Sequence, residues 1–94
     1  MTAKESSTVT PDFEYKLSQF PSGYVEGTFD GRTWGVSTRR SADGRRLWLF
    51  AEELGATDIV SFNLYRGTTR AFLKPCEMSS AKVVRFVLEF RPDT

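Results

Sequence analysis

Histidine is absent from this chain of 94 residues, and cysteine occurs once. Without histidine the commonest general base is missing, as are Ser-His and Cys-His nucleophile pairs and imidazole metal ligation. One cysteine closes no internal disulfide and builds no structural zinc site. Neither G-x-x-x-x-G-K-[ST] nor G-x-G-x-x-G occurs, which excludes phosphate-cradling loops of those types. No apolar run approaches the ~20 residues of a membrane helix, and no basic segment followed by an apolar stretch opens the chain. These absences predict a cytoplasmic, non-enzymatic protein without cofactor, metal or membrane association.

What is present suits a globular domain: 39% hydrophobic and 14% aromatic residues. The net charge of +1 conceals an uneven distribution. Residues 1–31 hold two lysines against five acids, and residues 32–74 hold eight basic residues against four acids. The middle of the chain therefore suits an anionic partner, although strong DNA-binding domains are usually more basic overall.

The first ten residues are polar, lack aromatics and precede a proline, which predicts a disordered tail over 1–10 before one domain over 11–94. Beyond it, period-2 alternation dominates. Phe13, Tyr15 and Leu17 alternate with Glu14, Lys16 and Ser18, the pattern of a half-buried strand. Strands over 24–29 and 33–39 flank Asp30-Gly31, a favoured two-residue hairpin turn. A further strand over 45–51 follows Asp43-Gly44, "EELGATD" reads as a loop or helical turn, and strands over 59–65 and 70–74 enclose "RGTT". In "SSAKVVRFVLEF", Val83, Phe86, Val87 and Phe90 fall on one helical stripe, widened by Val84 and Leu88, after a Ser-Ser cap. The same segment also alternates as a strand would, but its polar positions cluster on one side of a helical wheel. The expected architecture is α+β, an antiparallel β-meander of five to six strands with a C-terminal α-helix packed on one face.

If both Asp-Gly turns are two-residue loops, Val25 pairs with Val36, Gly27 with Trp34, Val36 with Ala51 and Arg39 with Trp48. One face then gathers Val25, Phe29, Trp34, Val36, Leu47, Leu49 and Ala51 beneath the helix. The other gathers Tyr24, Ser37 and Phe50, with Arg39, Arg46 and Trp48 beside them. The strand Leu47–Ala51 is apolar on both sides, and one helix covers only one. The second face must meet a ligand, a second copy or a curled part of its own sheet.

Arg39, Arg40, Arg45 and Arg46, with Trp48, Phe50 and Tyr24, are the candidate ligand-binding residues. A basic groove with aromatic faces on which bases stack is the apparatus of single-stranded nucleic-acid binding. In the competing reading the arginines keep a hairpin tip soluble, while Trp48 and Phe50 fill a core or the seam of a homo-oligomer. The order of four strands and a helix, Arg32 to Phe90, resembles the Whirly and PUR-repeat families and other single-strand binders. The resemblance spans about two-thirds of the chain and lies in element order, with no motif matched residue by residue. It implies a curved sheet as the binding platform and a helix that supports folding or dimerisation. Two other sets carry less. Glu52 and Glu53, as strand neighbours, point to opposite faces. Cys76, near Lys74, reads as a small buried residue at a strand-to-helix junction rather than a nucleophile.

Overall fold

The first element is a helix where alternation predicts a strand. In the computed structural model, which describes residues 9–68, 70–76 and 78–93, α1 spans Pro11–Ser18. Thr10, in extended conformation, accepts the Phe13 N–H on its Oγ1 at 3.2 Å. Pro11 sits in the first turn, where its missing N–H costs nothing, and Asp12 and Glu14 lie at the positive end of the helix dipole. Phe13 and Leu17 are 0% and 1% exposed, whereas Tyr15 is 66% exposed. Positions four apart share a face in a helix and in a strand alike, so only Tyr15 separates the two readings. Of the expected tail, Thr10 is the cap and Val9 packs against the core; the remainder lies outside the described residues.

Five strands follow: β1 Gly23–Phe29, β2 Arg32–Arg40, β3 Arg46–Glu53, β4 Ile59–Arg66 and β5 Ala71–Pro75. Helix α2, Ser80–Glu89, precedes a two-residue strand, β6, at Arg91–Pro92. The sheet is antiparallel with order β5-β4-β3-β2-β1-β6. The α+β class and the C-terminal helix are as expected. Strand β6 was not, since two residues carry no periodicity; it docks on β1 through the Asp93 N–H, which donates to the Glu26 carbonyl at 3.0 Å.

The first hairpin turns as its sequence dictates. Asp30 and Gly31 both take left-handed conformations, φ 55° and 76°, and Val25 faces Val36 while Gly27 faces Trp34. The second departs from expectation. Its register is the expected one, Val36 opposite Ala51 and Arg39 opposite Trp48. Its loop is longer, because Arg46, not Arg45, opens β3. The Gly44 N–H donates to the Ser41 carbonyl at 3.0 Å, and only Gly44 is left-handed, at φ 73°. The Asp43 carboxylate accepts the Ser41 hydroxyl at 2.6 Å and the Arg45 N–H at 2.9 Å, which holds the wider turn together. The pairing on either side is unshifted, so no side chain changes face. At its far end β3 takes in Glu52 and Glu53, leaving a shorter loop over 54–58.

Both helices lie on one side of the sheet and pack against each other. Phe86 is the hub, with ring centroids 4.9 Å from Phe29, 5.1 Å from Trp34 and 5.3 Å from Phe90. Val36, Leu49, Val60, Phe62 and Leu64 form the fully buried floor. Ser79 caps α2 by accepting the Lys82 N–H at 3.1 Å. The buried stripe of α2 is narrower than its sequence suggests, since Val84 is only half-buried and Leu88 is exposed. No helix among the described residues is long and apolar enough to cross a membrane.

Candidate nucleic-acid interface

The strand registers arrange the helix-free face in rows. Arg46, Tyr65 and Phe72 form the first, at the β2–β3 loop end. Arg39, Trp48, Asn63 and Lys74 form the second, and Tyr24, Ser37, Phe50 and Ser61 the third. Glu26, Gly35, Glu52 and Ile59 form the fourth, and Thr33, Thr28 and the exposed Arg91 close the far end. Successive rows are two residues apart along each strand, about 6.6 Å.

Trp48 and Phe50 occupy the centre. Their ring centroids are 6.1 Å apart and their planes differ by 8°, so two nearly parallel, half-buried rings lie side by side. The Arg39 guanidinium carbon stands 5.9 Å from the indole centroid, within cation–π range. Tyr24 extends the surface: its hydroxyl donates to Glu26 Oε2 at 3.0 Å, and its ring lies over Gly35, where a Cβ would come within 3.0 Å of the ring. That hydroxyl's bond to an anionic acceptor, with desolvation second, raises the Tyr24 pKa above the usual phenol value. At the other corner Phe72 is 46% exposed, with the Arg70 guanidinium 5.3 Å from its ring centroid.

The charges are of two kinds. Arg32, Arg66, Lys82 and Arg85 are spent on ion pairs with Glu53, Glu14, Asp58 and Asp30. Arg39, Arg45, Arg46, Arg70 and Lys74 form no salt bridge among the described residues. Open depressions of about 560 and 360 Å³ run past these arginines at the loop end, and both are lined by Ser41, Arg46 and Tyr65.

Of the seven candidate residues, Tyr24, Arg39, Arg46, Trp48 and Phe50 share this face, and Arg45 borders it from the loop. Arg40 does not join them. Its guanidinium donates to Ser22 Oγ at 2.9 Å and to the Leu17 and Phe20 carbonyls at 3.1 and 2.8 Å, tying the end of β2 to the end of α1. Tyr65, Phe72 and Lys74 also belong to the surface. Their alternation is legible, but "RGTT" states no register that would assign them a face. Glu52 and Glu53 do point to opposite faces, with Glu53 paired to Arg32 at 2.8 Å. Cys76 is exposed, contrary to the buried junction residue expected. Its N–H donates to the Ser61 carbonyl at 2.9 Å, continuing the sheet pairing past β5, so the strand rather than the helix sets its exposure.

No group of three or more potential metal ligands occurs among the described residues. No protein-family model, curated protein or solved structure matches this chain, and its functional reading rests on its own residues.

Proposed function

We propose that this protein is a non-enzymatic module that binds single-stranded nucleic acid on the helix-free face of its sheet. The observation that carries the reading is the parallel Trp48–Phe50 pair, left uncovered by both helices and bordered by Arg39 and Arg46, which form no salt bridge among the described residues. Bases stack on such rings with ~1–3 kcal/mol each, and guanidinium groups take the phosphates. A flat, open surface suits a strand whose bases are splayed outward, and does not enclose a small molecule.

Anisotropy of a labelled hexanucleotide over a salt series tests this. Log affinity should fall by about 0.7 per decade of log salt for each phosphate contacted. Replacing Arg39 and Arg46 together with alanine should flatten that slope for all sequences alike. Trp48→Ala should weaken binding by roughly 5- to 150-fold and leave the slope nearly unchanged, since stacking releases no ions.

A second reading is favoured by one observation. Arg39, Arg46 and Lys74 lie toward one end of the face and Glu26 and Glu52 toward the other, with Arg91 beyond them at the β6 edge, so a copy turned by half a revolution sets the first three against the two glutamates. Such a face is self-complementary in the manner of an isologous dimer. Sedimentation decides between the two. A monomer that binds the hexanucleotide supports the first, and a Trp48-dependent dimer that binds none replaces it with the second.

A further inference from the structure

The segregation of charge on the open face carries a consequence for which bases it accepts. A strand lying across it feels opposite fields at the two ends. Phosphates are drawn toward Arg46, Arg39 and Lys74 and repelled by Glu26 and Glu52, while Trp48 shares the row of Arg39 and Lys74 and Phe50 occupies the row between them and the glutamates. A base stacked on this pair, with its phosphate on the basic side, turns its outer edge toward the carboxylates. Glu52 follows Phe50 by two residues on the same strand and face, about 6.6 Å away.

The two carboxylates are not equivalent. Glu26 already accepts the Tyr24 hydroxyl, and that tyrosine's ring lies across Gly35, the residue between Glu26 and Glu52 in their row. The aromatic surface thus continues to the foot of the acidic row. Glu52 is exposed and makes no side-chain hydrogen bond or salt bridge among the described residues. An ionised carboxylate only accepts hydrogen bonds. Guanine meets it with two adjacent donors, N1–H and the N2 amine, one for each oxygen. Cytosine and adenine offer an exocyclic amine alone. Thymine and uracil offer one imide N–H between two carbonyl oxygens, which a carboxylate repels.

Resting on the nucleic-acid reading, we infer that Glu52 is a specificity residue that selects guanine over thymine or uracil at the base stacked on Phe50. Orientation follows from the same geometry, with the backbone over the basic rows and the base edges toward the acidic one.

The test uses thymidine hexanucleotides in which one central base is thymine, guanine or hypoxanthine, the last lacking the N2 amine. Guanine should bind about tenfold tighter than thymine, toward the lower end of the range for one bidentate contact, with hypoxanthine between. Glu52→Gln should collapse the guanine-to-thymine ratio to below about twofold, because the amide presents one acceptor and one donor. Glu89→Gln on α2, remote from this face, is the control and should keep the full ratio; thermal melts confirm that both variants fold. If no hexanucleotide binds, the nucleic-acid reading itself fails. If all bind and guanine equals thymine, Glu52 has no such role although the surface reading stands. A guanine preference that survives Glu52→Gln likewise overturns the assignment.

Discussion

Two strand glycines make a matched pair on which the packing can be tested. Gly27 and Gly35 both have φ outside the left-handed region, so alanine is compatible with either backbone and only the contacts of a new Cβ matter. At Gly27 that carbon would meet the Arg91 carbonyl oxygen, stand 2.5 Å from the Phe90 ring and 2.8 Å from Pro92 Cα. Two of these are backbone atoms of β6 and its approach, and Phe90 is 2% exposed, stacked 5.4 Å from Phe20 and 5.3 Å from Phe86. Nothing there swings aside freely. Overpacking costs about 1–3 kcal/mol, and displacing β6 forfeits roughly 1 kcal/mol more with the Asp93–Glu26 bond. The lower chain entropy of alanine returns about 0.5–1 kcal/mol. Gly27→Ala should therefore lose about 2–3 kcal/mol, a fall in Tm of roughly 10–20 °C for a domain of this size. At Gly35 the Cβ would meet the Tyr24 hydroxyl and the outer part of its ring, the far end of an exposed side chain. Tyr24 can rotate into solvent, so Gly35→Ala should stay within about 0.5 kcal/mol of wild type. Circular dichroism melts and urea titrations of the two variants measure the contrast. Equal stability of both would refute the account of how Phe90 and β6 close the sheet.

The helical reading of 11–18 predicts that Phe13→Ala costs about 3–5 kcal/mol in urea titration while Tyr15→Ala changes little, and equal losses would favour an amphipathic strand. Thr10→Ala should cost about 1 kcal/mol in the same assay through loss of the cap. Arg40→Ala should destabilise by about 1.5–3 kcal/mol through its bonds to Ser22, Leu17 and Phe20, whereas Arg45→Ala should leave stability unchanged; the reverse order would sink the assignment of Arg40 as a structural tie. Asp43 and Asp58 are both held below the usual carboxylate range, Asp43 chiefly by the Ser41 hydroxyl and Asp58 chiefly by the Lys82 ammonium. Because their folded pKa values lie below the unfolded value of about 3.9, the unfolded chain binds more protons as acid is added. The stability they contribute is present above about pH 4 and lost as pH falls through the folded values. Urea midpoints at neutral and acid pH should fall accordingly, with a shallower fall in Lys82→Met, and a midpoint unmoved by acid would contradict the sign.

Where sequence and structure agree, one local rule is decisive. Asp30-Gly31 needs two left-handed residues and contains two that tolerate them, so its hairpin and register follow. Parity then carries that register across the sheet, and the wider loop at Asp43-Gly44 does no harm because Ser41 and Arg46 still meet at its base. The same parity made the candidate surface partly legible, since Tyr24, Arg39, Arg46, Trp48 and Phe50 share a face once β1, β2 and β3 are aligned. Arg40 shows the limit of such counting. Alternation turns it away from Arg39, but only the neighbouring end of α1 supplies the carbonyls that claim it.

By itself the sequence determines the antiparallel meander, the C-terminal helix and the two-sided apolar character of β3, because these depend on spacing within a few residues. Tertiary structure decides the rest. Phe13 and Leu17 suit helix and strand equally, and it is the cap at Thr10 together with room beside α2 that selects the helix. Arg91–Pro92 becomes a strand only because Gly27 leaves space for it on β1. Above all, α1 joins α2 on the same side of the sheet. No local pattern states which side a helix will choose; that follows from where its buried residues find partners, here Phe13 against Phe62 and Phe20 against Phe90. Both helices are used on one face, and the face bearing Trp48 and Phe50 is left without a helix.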